Sequence, residues 1–569
     1  MRVRAQSTSV RPASVQPAFG RRASVLRAAL AVATTVAVLS GCTATATNSA
    51  GAGENLTYAI NGGTLSGGKM DIHSSAFQAT ALVMRNSFDS LVYQKPDGSF
   101  VPWLAESWEV SEDGLQYTFT LREDVTFHDG EVFNAEAVKA NFDHVVAPKT
   151  ASADAASLIG YAETGGFYVG TEVIDEYTVR VDFRQPYAPF LQAVSTAKLG
   201  FYSPATLRDN AEQLPAGGPD ISVGTGPYVL SAYTPDQSIT FTANEDYAWA
   251  PEGSSNDGAP FITTIEFRIL PESAVRTGAL TSGEAQIASD ITANTVGQIG
   301  DEFEVENFTM PGLPYTLFLN EENTAAPTSV FADQNVRQAF ALGINIGPAV
   351  ESIYQGQAER AWSILSPATP NSYDQSLEGK WDYDPAAANA LLDASGWTER
   401  DSEGYRVKDG VRLSARWLAY NPVSDANASI GDVVQSDLQQ LGFEIVRDNL
   451  EIAQYYDEFN ARAYDLSDWS FPSVDADVLR AHLHSGGYKN GSSTSNATVD
   501  RLLDDAIATS DPTEREALYQ ELQQWNAAHV AMVPIAVPSA ITAYSPDIEN
   551  LSFDLYGQPL FYEASLSTD

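Results

Sequence analysis

The chain carries one thiol, six imidazoles and a large excess of carboxylates. Their spacing limits the chemistry they can do. Cys42 is the only cysteine, and it closes the run Leu39-Ser40-Gly41-Cys42. Upstream lie Arg2, Arg4, Arg11, Arg21, Arg22 and Arg27, then the apolar stretch from Ala28 to Leu39. A basic region, a short apolar region and a small-residue site make a secretory signal, with the thiol placed at the cut. His482 and His484 diverge if their stretch is helical and share a face if it is extended. No His-Glu-x-x-His or Cys/His cluster is present, so no metal site is predicted. His73 reads as a surface residue in the loop after the first strand. His128-Asp129 can serve as an acid/base pair, but it precedes a glycine and reads as a turn in which Asp129 accepts local backbone N–H groups. Gly224-Thr225-Gly226 lacks the third glycine of a dinucleotide loop, and Pro227 follows it, so it reads as a tight turn entering a strand. No Gly-x-Ser-x-Gly elbow occurs, and a glycosidase-like carboxylate pair cannot be placed from the sequence. An enzyme is therefore not predicted.

These residues depend on the elements that position them. Leu56 to Ile60 predicts a strand, and Phe77 to Tyr93 has the apolar face of a helix. Val101–Val110 and Gln116–Leu121 flank Asp113-Gly114 and predict a hairpin. Asn134 suits the cap of a helix running to about His144. Strands are expected at 177–183, 228–243, 264–270, 411–420, 443–447 and 531–537. Ser273 is the expected cap of a helix to about Ser282. Further helices are expected at 333–341, 385–395, 428–441, 498–509 and 513–528. The pattern is mixed α/β, with no internal repeat.

Residues 1–41 hold six Arg and no acid, so the formal charge of −42 becomes −48 once they are removed. Such a surface repels nucleic acid and anionic lipid alike. The hydrophobic content of 44% supports true cores, and the length calls for more than one lobe. Residues 43–54 are small and polar, as in a flexible tether.

Several segments, taken in order, resemble the extracellular solute-binding proteins of peptide and nickel ABC importers. They are Leu104-Ala105-Glu106-Ser107-Trp108, the run Leu121-Arg122-Glu123-Asp124-Val125-Thr126-Phe127-His128-Asp129-Gly130, Gly224-Thr225-Gly226-Pro227-Tyr228, Asn335-Val336-Arg337-Gln338-Ala339-Phe340 and Tyr383-Asp384-Pro385. The site ending in Cys42 looks like a bacterial lipobox. That implies a diacylated thiol anchoring the protein to the outer face of the cell membrane. The resemblance implies an α/β fold, a bilobed periplasmic-binding-protein-like clamp with an extra subdomain inserted in the first lobe. Residues 1–41 would be the lipoprotein signal peptide and 42–54 the tether. Lobe I would comprise 55–92, 223–312 and 533–569, with the inserted subdomain at 93–222. Lobe II would be 313–532, with hinge crossings near Gly312 and Val533.

The implied function is capture of a peptide or peptide-like solute between the lobes and delivery to an ABC permease and ATPase complex, by a monomer without a cofactor. A metal chelate, oligosaccharide or opine is the alternative solute, and chemosensing the alternative role. Strand ends near the hinge then give the candidate ligand residues: Tyr315, Asn320, Asp290 and Tyr420, together with Asp468, Trp469 and Phe471. The acid would pair with a cationic group and the rings would stack on the ligand. Core packing is the competing role for each ring. Peptide-binding relatives place an Asp for the peptide ammonium where this chain has Pro472. Asp468 or Asp475 would have to replace it.

Overall fold

The computed structural model describes residues 55–567 except 64, 66–69, 76, 153–158, 160–165 and 422. Cys42, the predicted signal and the predicted tether lie outside the described residues.

A seven-stranded sheet is ordered Glu304–Thr309, Ser539–Tyr544, Ile287–Ala288, Asn55–Ile60, Thr264–Ile269, Ser238–Ala243 and Tyr228–Thr234. Alternation explains its packing. In Thr264–Ile269, Ile265, Phe267 and Ile269 are buried, and Tyr58, Ile60 and Phe241 join them in one core. Successive strand side chains point to opposite faces, so one face collects the apolar set.

A six-stranded sheet is ordered Glu359–Arg360, Met532–Val537, Gly312–Leu319, Leu466–Pro472, Ser414–Tyr420 and Glu444–Leu450. Gly312–Leu319 and Met532–Val537 are buried along their whole length, as central strands covered on both faces must be. Tyr315, Leu317 and Leu319 pack with the helices Gln334–Leu342 and Asp425–Leu441. Leu313 and Phe318 pack with Val478–Leu483, Ala497–Ala508 and Pro512–His529. A smaller antiparallel sheet, Ala105–Val110, Gln116–Leu121, Thr178–Phe183 and Tyr168–Asp175, carries its own aromatic core with the helix Ala135–Val146.

The two large sheets are joined twice. The chain passes from Thr309 to Gly312 through Met310-Pro311, and from Val537 to Ser539 through Pro538. The Met310 N–H donates to the Pro538 carbonyl at 2.9 Å, so the crossings lie side by side. The second crossing was expected near Val533. Val533 instead pairs with Leu317 inside the six-stranded sheet, and the crossing falls at Pro538. Pro534 sits where the register of that ladder shifts, a place that tolerates a residue without an N–H.

Two predicted elements differ. The helix expected over 77–93 stops at Met84. Beyond it the backbone is taken by another segment: Gly226 N–H donates to Ser87 O and Tyr228 N–H to Asn86 O, each at 2.9 Å. Ser273 is the first helical residue and Glu272 the cap position. The Ser273 hydroxyl instead accepts from Thr292 N–H at 3.1 Å. Asn134 does cap its helix, accepting from Ala137 N–H at 3.0 Å.

Candidate functional site

A cavity of about 1130 Å³ lies between the two large sheets and the smaller one. That is at the upper end of small-ligand sites, which run to about 1,000 Å³. One wall comes from the helix Gln78–Met84 and Arg85, from Tyr93, Trp103, Tyr187 and Tyr247, and from the hairpin Ser552–Leu560. The opposite wall is the end of the strand Leu466–Pro472, the turn after it and the helix Val478–Leu483. Two hydrogen bonds run between the walls. Val474 N–H reaches the Tyr556 hydroxyl at 3.4 Å, and Ala188 N–H reaches Ile507 O at 2.8 Å.

The first wall is braced from behind by a buried acid. Asp89 accepts from Thr225 Oγ1 and Trp249 Nε1, each at 3.1 Å. Burial raises its carboxyl to about 7, against hydrogen bonds that lower it. Trp103 Nε1 donates to the Tyr247 hydroxyl at 3.3 Å, and both rings border the cavity. Gly226 is required here: a Cβ would come within 2.5 Å of the Ser87 carbonyl carbon. Arg85 lies over the Trp103 ring at 5.1 Å. Its guanidinium donates to Ser90 Oγ at 2.8 Å, Phe88 O at 3.3 Å and Ser195 O at 2.7 Å.

Asp554 stands at the tip of a hairpin in which Ser552 pairs with Leu560 and Phe553 with Pro559. Its Oδ1 accepts from Tyr556 N–H at 2.8 Å and Gln558 N–H at 2.9 Å. Burial raises this carboxyl to about 6.

The opposite wall is rich in charge, and that charge is paired. Arg515 holds Asp475 through both guanidinium ends, at 2.9 and 2.6 Å. Arg480 donates to Asp477 at 3.1 Å and to Asp504 at 2.9 Å. Burial raises Asp477 to about 6 even so. Pro472 borders the cavity and brings no charge.

Of the residues predicted from the sequence, Phe471 borders this cavity, and Lys489 Nζ lies 3.8 Å from the centre of its ring. Asp290, Tyr315, Asn320, Tyr420, Asp468 and Trp469 do not border it. Asp468 accepts from the Tyr315 hydroxyl at 2.7 Å and Trp417 Nε1 at 2.6 Å, which ties these side chains together inside the sheet. Trp469 stacks on Phe318 with ring centres 3.7 Å apart. Asn320 donates to Tyr464 O and accepts from Glu322 N–H, fixing a loop. Tyr420 is exposed and meets Tyr455 edge-on. Asp290 has a positive φ of 52°, and its carbonyl accepts from Arg276.

His73 is not at the surface. It is 1% exposed, its Nδ1 lies 3.0 Å from His144 Nδ1, and burial lowers it to about 4. His482 is buried between Phe318, Trp469 and Phe471, whereas His484 borders the cavity. Asp129 accepts from Glu131 N–H and Ser203 Oγ, as a turn residue does. Arg337 pairs with Glu321 at 3.3 Å. Among the described residues no group of three or more His, Cys, Asp or Glu is placed to hold a metal ion, and no helix is long and apolar enough to cross a membrane.

Sequence reasoning missed Arg85 and Asp554. Asp554 begins Asp-Leu-Tyr-Gly between Ser552-Phe553 and Pro559-Leu560, and an Asp with a Gly three residues on announces a turn. Nothing in it signals a cleft.

The family model for bacterial extracellular solute-binding proteins, family 5 (middle region), matches residues 99–491. The chain belongs to this family. Among family-5 relatives, the nickel-binding periplasmic protein of Escherichia coli (strain K12) is 25% identical over 478 residues, 82% of this chain and 86% of that protein. The glutathione-binding protein GsiB of Salmonella typhi is 28% identical over 463 residues, 78% of this chain and 82% of that protein. The structure of NikA from Brucella suis in complex with Fe(III)-EDTA superposes with a TM-score of 0.75 at 25% identity, covering 90% of this chain and all of that one. The family-5 fold is therefore the predicted bilobed α/β clamp, and these relatives are solute-binding proteins.

Proposed function

We propose that this chain is the extracellular receptor of an ABC importer, anchored through lipid on Cys42, that captures a peptide or peptide-like solute and delivers it to the permease and its ATPase. The observation that carries this reading is the cleft: about 1130 Å³, walled by aromatic rings, and set beside two crossings that lie next to each other. Paired crossings let two lobes rotate as bodies, the hinge closure of such receptors. Closure is favoured only by ligand contacts that exist in the closed form. The bonds of Val474 to Tyr556 and of Ala188 to Ile507 are protein contacts made directly across the cleft. The lobes divide at Met310-Pro311 and Pro538 in this reading, with the smaller sheet inserted in the first lobe.

A non-peptide solute is the second reading, and Pro472 favours it. The cleft wall there lacks an acid, Asp475 is held by Arg515, and Asp468 is tied to Tyr315 and Trp417. Neither acid is free to take the place of the missing one. The relatives named for nickel and for glutathione fit a family whose walls vary around a common frame.

Thermal unfolding of the full chain against peptides, N-blocked peptides, oligosaccharides and metal chelates tests the proposal. A true ligand at about 100 times its Kd adds about 2.7 kcal/mol and moves the midpoint visibly. In cells, deleting the neighbouring permease abolishes uptake of that solute if the role is import. Intact uptake with an altered gene response points to sensing. Silence across the panel, with protein freed of carried-over ligand, overturns solute capture.

A further inference from the structure

The acids bordering the cleft differ in one respect. Asp475, Asp477 and Asp504 each contact an arginine. Glu563 accepts from Ser254 Oγ and from the Ser255 N–H. Glu252 is exposed. Asp554 is the half-buried acid left over. Among the described residues, no Arg, Lys or His nitrogen pairs with it within 4.0 Å. Its hydrogen bonds from Tyr556 and Gln558 both arrive at Oδ1, and among the described residues Oδ2 receives none. Arg85 is the nearest cationic influence, but its guanidinium is spent on Ser90, Phe88 and Ser195.

We infer that Asp554 is the receptor for a cationic group on the solute, so that the captured class carries an ammonium or guanidinium, held from the hairpin wall. The inference rests on the solute-capture reading and deepens it. A half-buried carboxylate with an unused oxygen is stabilised when a counter-charge arrives. A bound cation supplies that charge and forms a short charge-assisted hydrogen bond with Oδ2. Burial lifts the free carboxyl to about 6, which is the same unmet demand seen from the proton's side. The surroundings suit a cation. Tyr93, Tyr247, Tyr556 and Tyr562 border the same cavity, and ring faces attract positive charge. The hairpin holds the acid in place: Gly557 N–H donates to Asp554 O at 2.9 Å, and Asp554 N–H to Gln558 O at 2.9 Å. The acid missing at Pro472 thus has a counterpart on the facing wall, and a solute would lie with its cationic end reversed.

The test is titration calorimetry of the full chain with matched probes. Trialanine is paired with N-acetyl-trialanine, and reduced glutathione with its N-acetyl derivative, with argininamide and nickel–histidine as further probes. The amine-bearing member of at least one pair is expected to bind tenfold or more tighter than its acetylated partner. Asp554→Asn is expected to abolish that preference. Asn keeps an oxygen for the Tyr556 and Gln558 amides, so the unliganded variant should be at least as stable as the parent at pH 7, which separates loss of charge from loss of fold. A probe that binds parent and variant equally, or acetylated partners that bind as well as free amines, overturns the inference and leaves solute capture standing. Silence with every probe overturns both.

Discussion

The two walls of the cleft carry acids of similar number and opposite availability. On the strand-and-helix side, Asp475, Asp477 and Asp504 lie under Arg515 and Arg480. On the hairpin side, among the described residues, Asp554 accepts only from the backbone and keeps one oxygen unused. A formal charge of −42 says nothing of this difference. Availability is set by partners: a bidentate arginine removes a carboxylate from ligand chemistry, whereas two N–H groups orient it and leave it charged. The wall whose acids are held by arginine is therefore the one with less charge to offer.

The strongest way to break this comparison is to remove a partner. Arg515→Met leaves Asp475 buried without its guanidinium. Breaking a buried pair costs about 3–5 kcal/mol, so urea unfolding should show a loss of that size. A loss below about 1 kcal/mol would mean that Asp475 is not committed to Arg515 and is free for a solute.

Asp554→Asn comes next, with a loss of binding and no loss of folding stability at pH 7. A tenfold loss for an amine-bearing probe corresponds to about 1.4 kcal/mol. Calorimetry reads the loss, and the melting midpoint at pH 7 should not fall.

The same pair of proteins sharpens the contrast through pH. The folded Asp554 carboxyl lies at about 6, above its unfolded value near 4. A raised acid contributes stability that is present below the unfolded value and is lost as pH rises through the folded one. Parent stability minus Asp554→Asn stability should therefore fall between about pH 4 and pH 7. Urea titrations across that window check it, and a flat difference would mean the acid is solvated and unremarkable. Arg85 works against this shift.

Trp469→Phe should have the smallest effect. The indole N–H is buried and has no partner among the described residues, so its loss offsets part of the cavity left behind. Stability should move by about 1 kcal/mol or less, and probe affinity should not move. A clear drop in affinity by calorimetry would bring Trp469 into the site and move the cleft chemistry back to the strand wall.

The fold was largely legible, because its signals are local. Alternation marked Thr264–Ile269, the Asp113-Gly114 turn marked its hairpin, and Asn134 marked a helix start. Where local pattern met tertiary demand, the reading slipped. The apolar periodicity after Met84 looks helical, but Gly226 and Tyr228 claim the backbone of Ser87 and Asn86. His73 stands in a polar loop and is buried all the same, because His144 and Gly200 come to it from far along the chain.

The site was legible only in part. Phe471 borders the cleft as expected, but Asp468 and Trp469, close by on the same strand, serve the sheet interior through Tyr315, Trp417 and Phe318. Strand periodicity puts Trp469 and Phe471 on one face, and it does not say that the cleft is reached only at the strand's end, where Phe471 stands.

Composition, motif order and turn chemistry were enough by themselves for the class of fold, the family and the absence of a charge at Pro472. These are properties of one residue or of a short run. Which acid is neutralised, and which is left facing the cleft, was decided only by the tertiary structure. The pairing of Arg515 with Asp475 spans forty residues, and the Asp554 hairpin borders the same cavity as the helix Gln78–Met84 from the other end of the chain. Electrostatic availability depends on distances through space, which chain order does not encode.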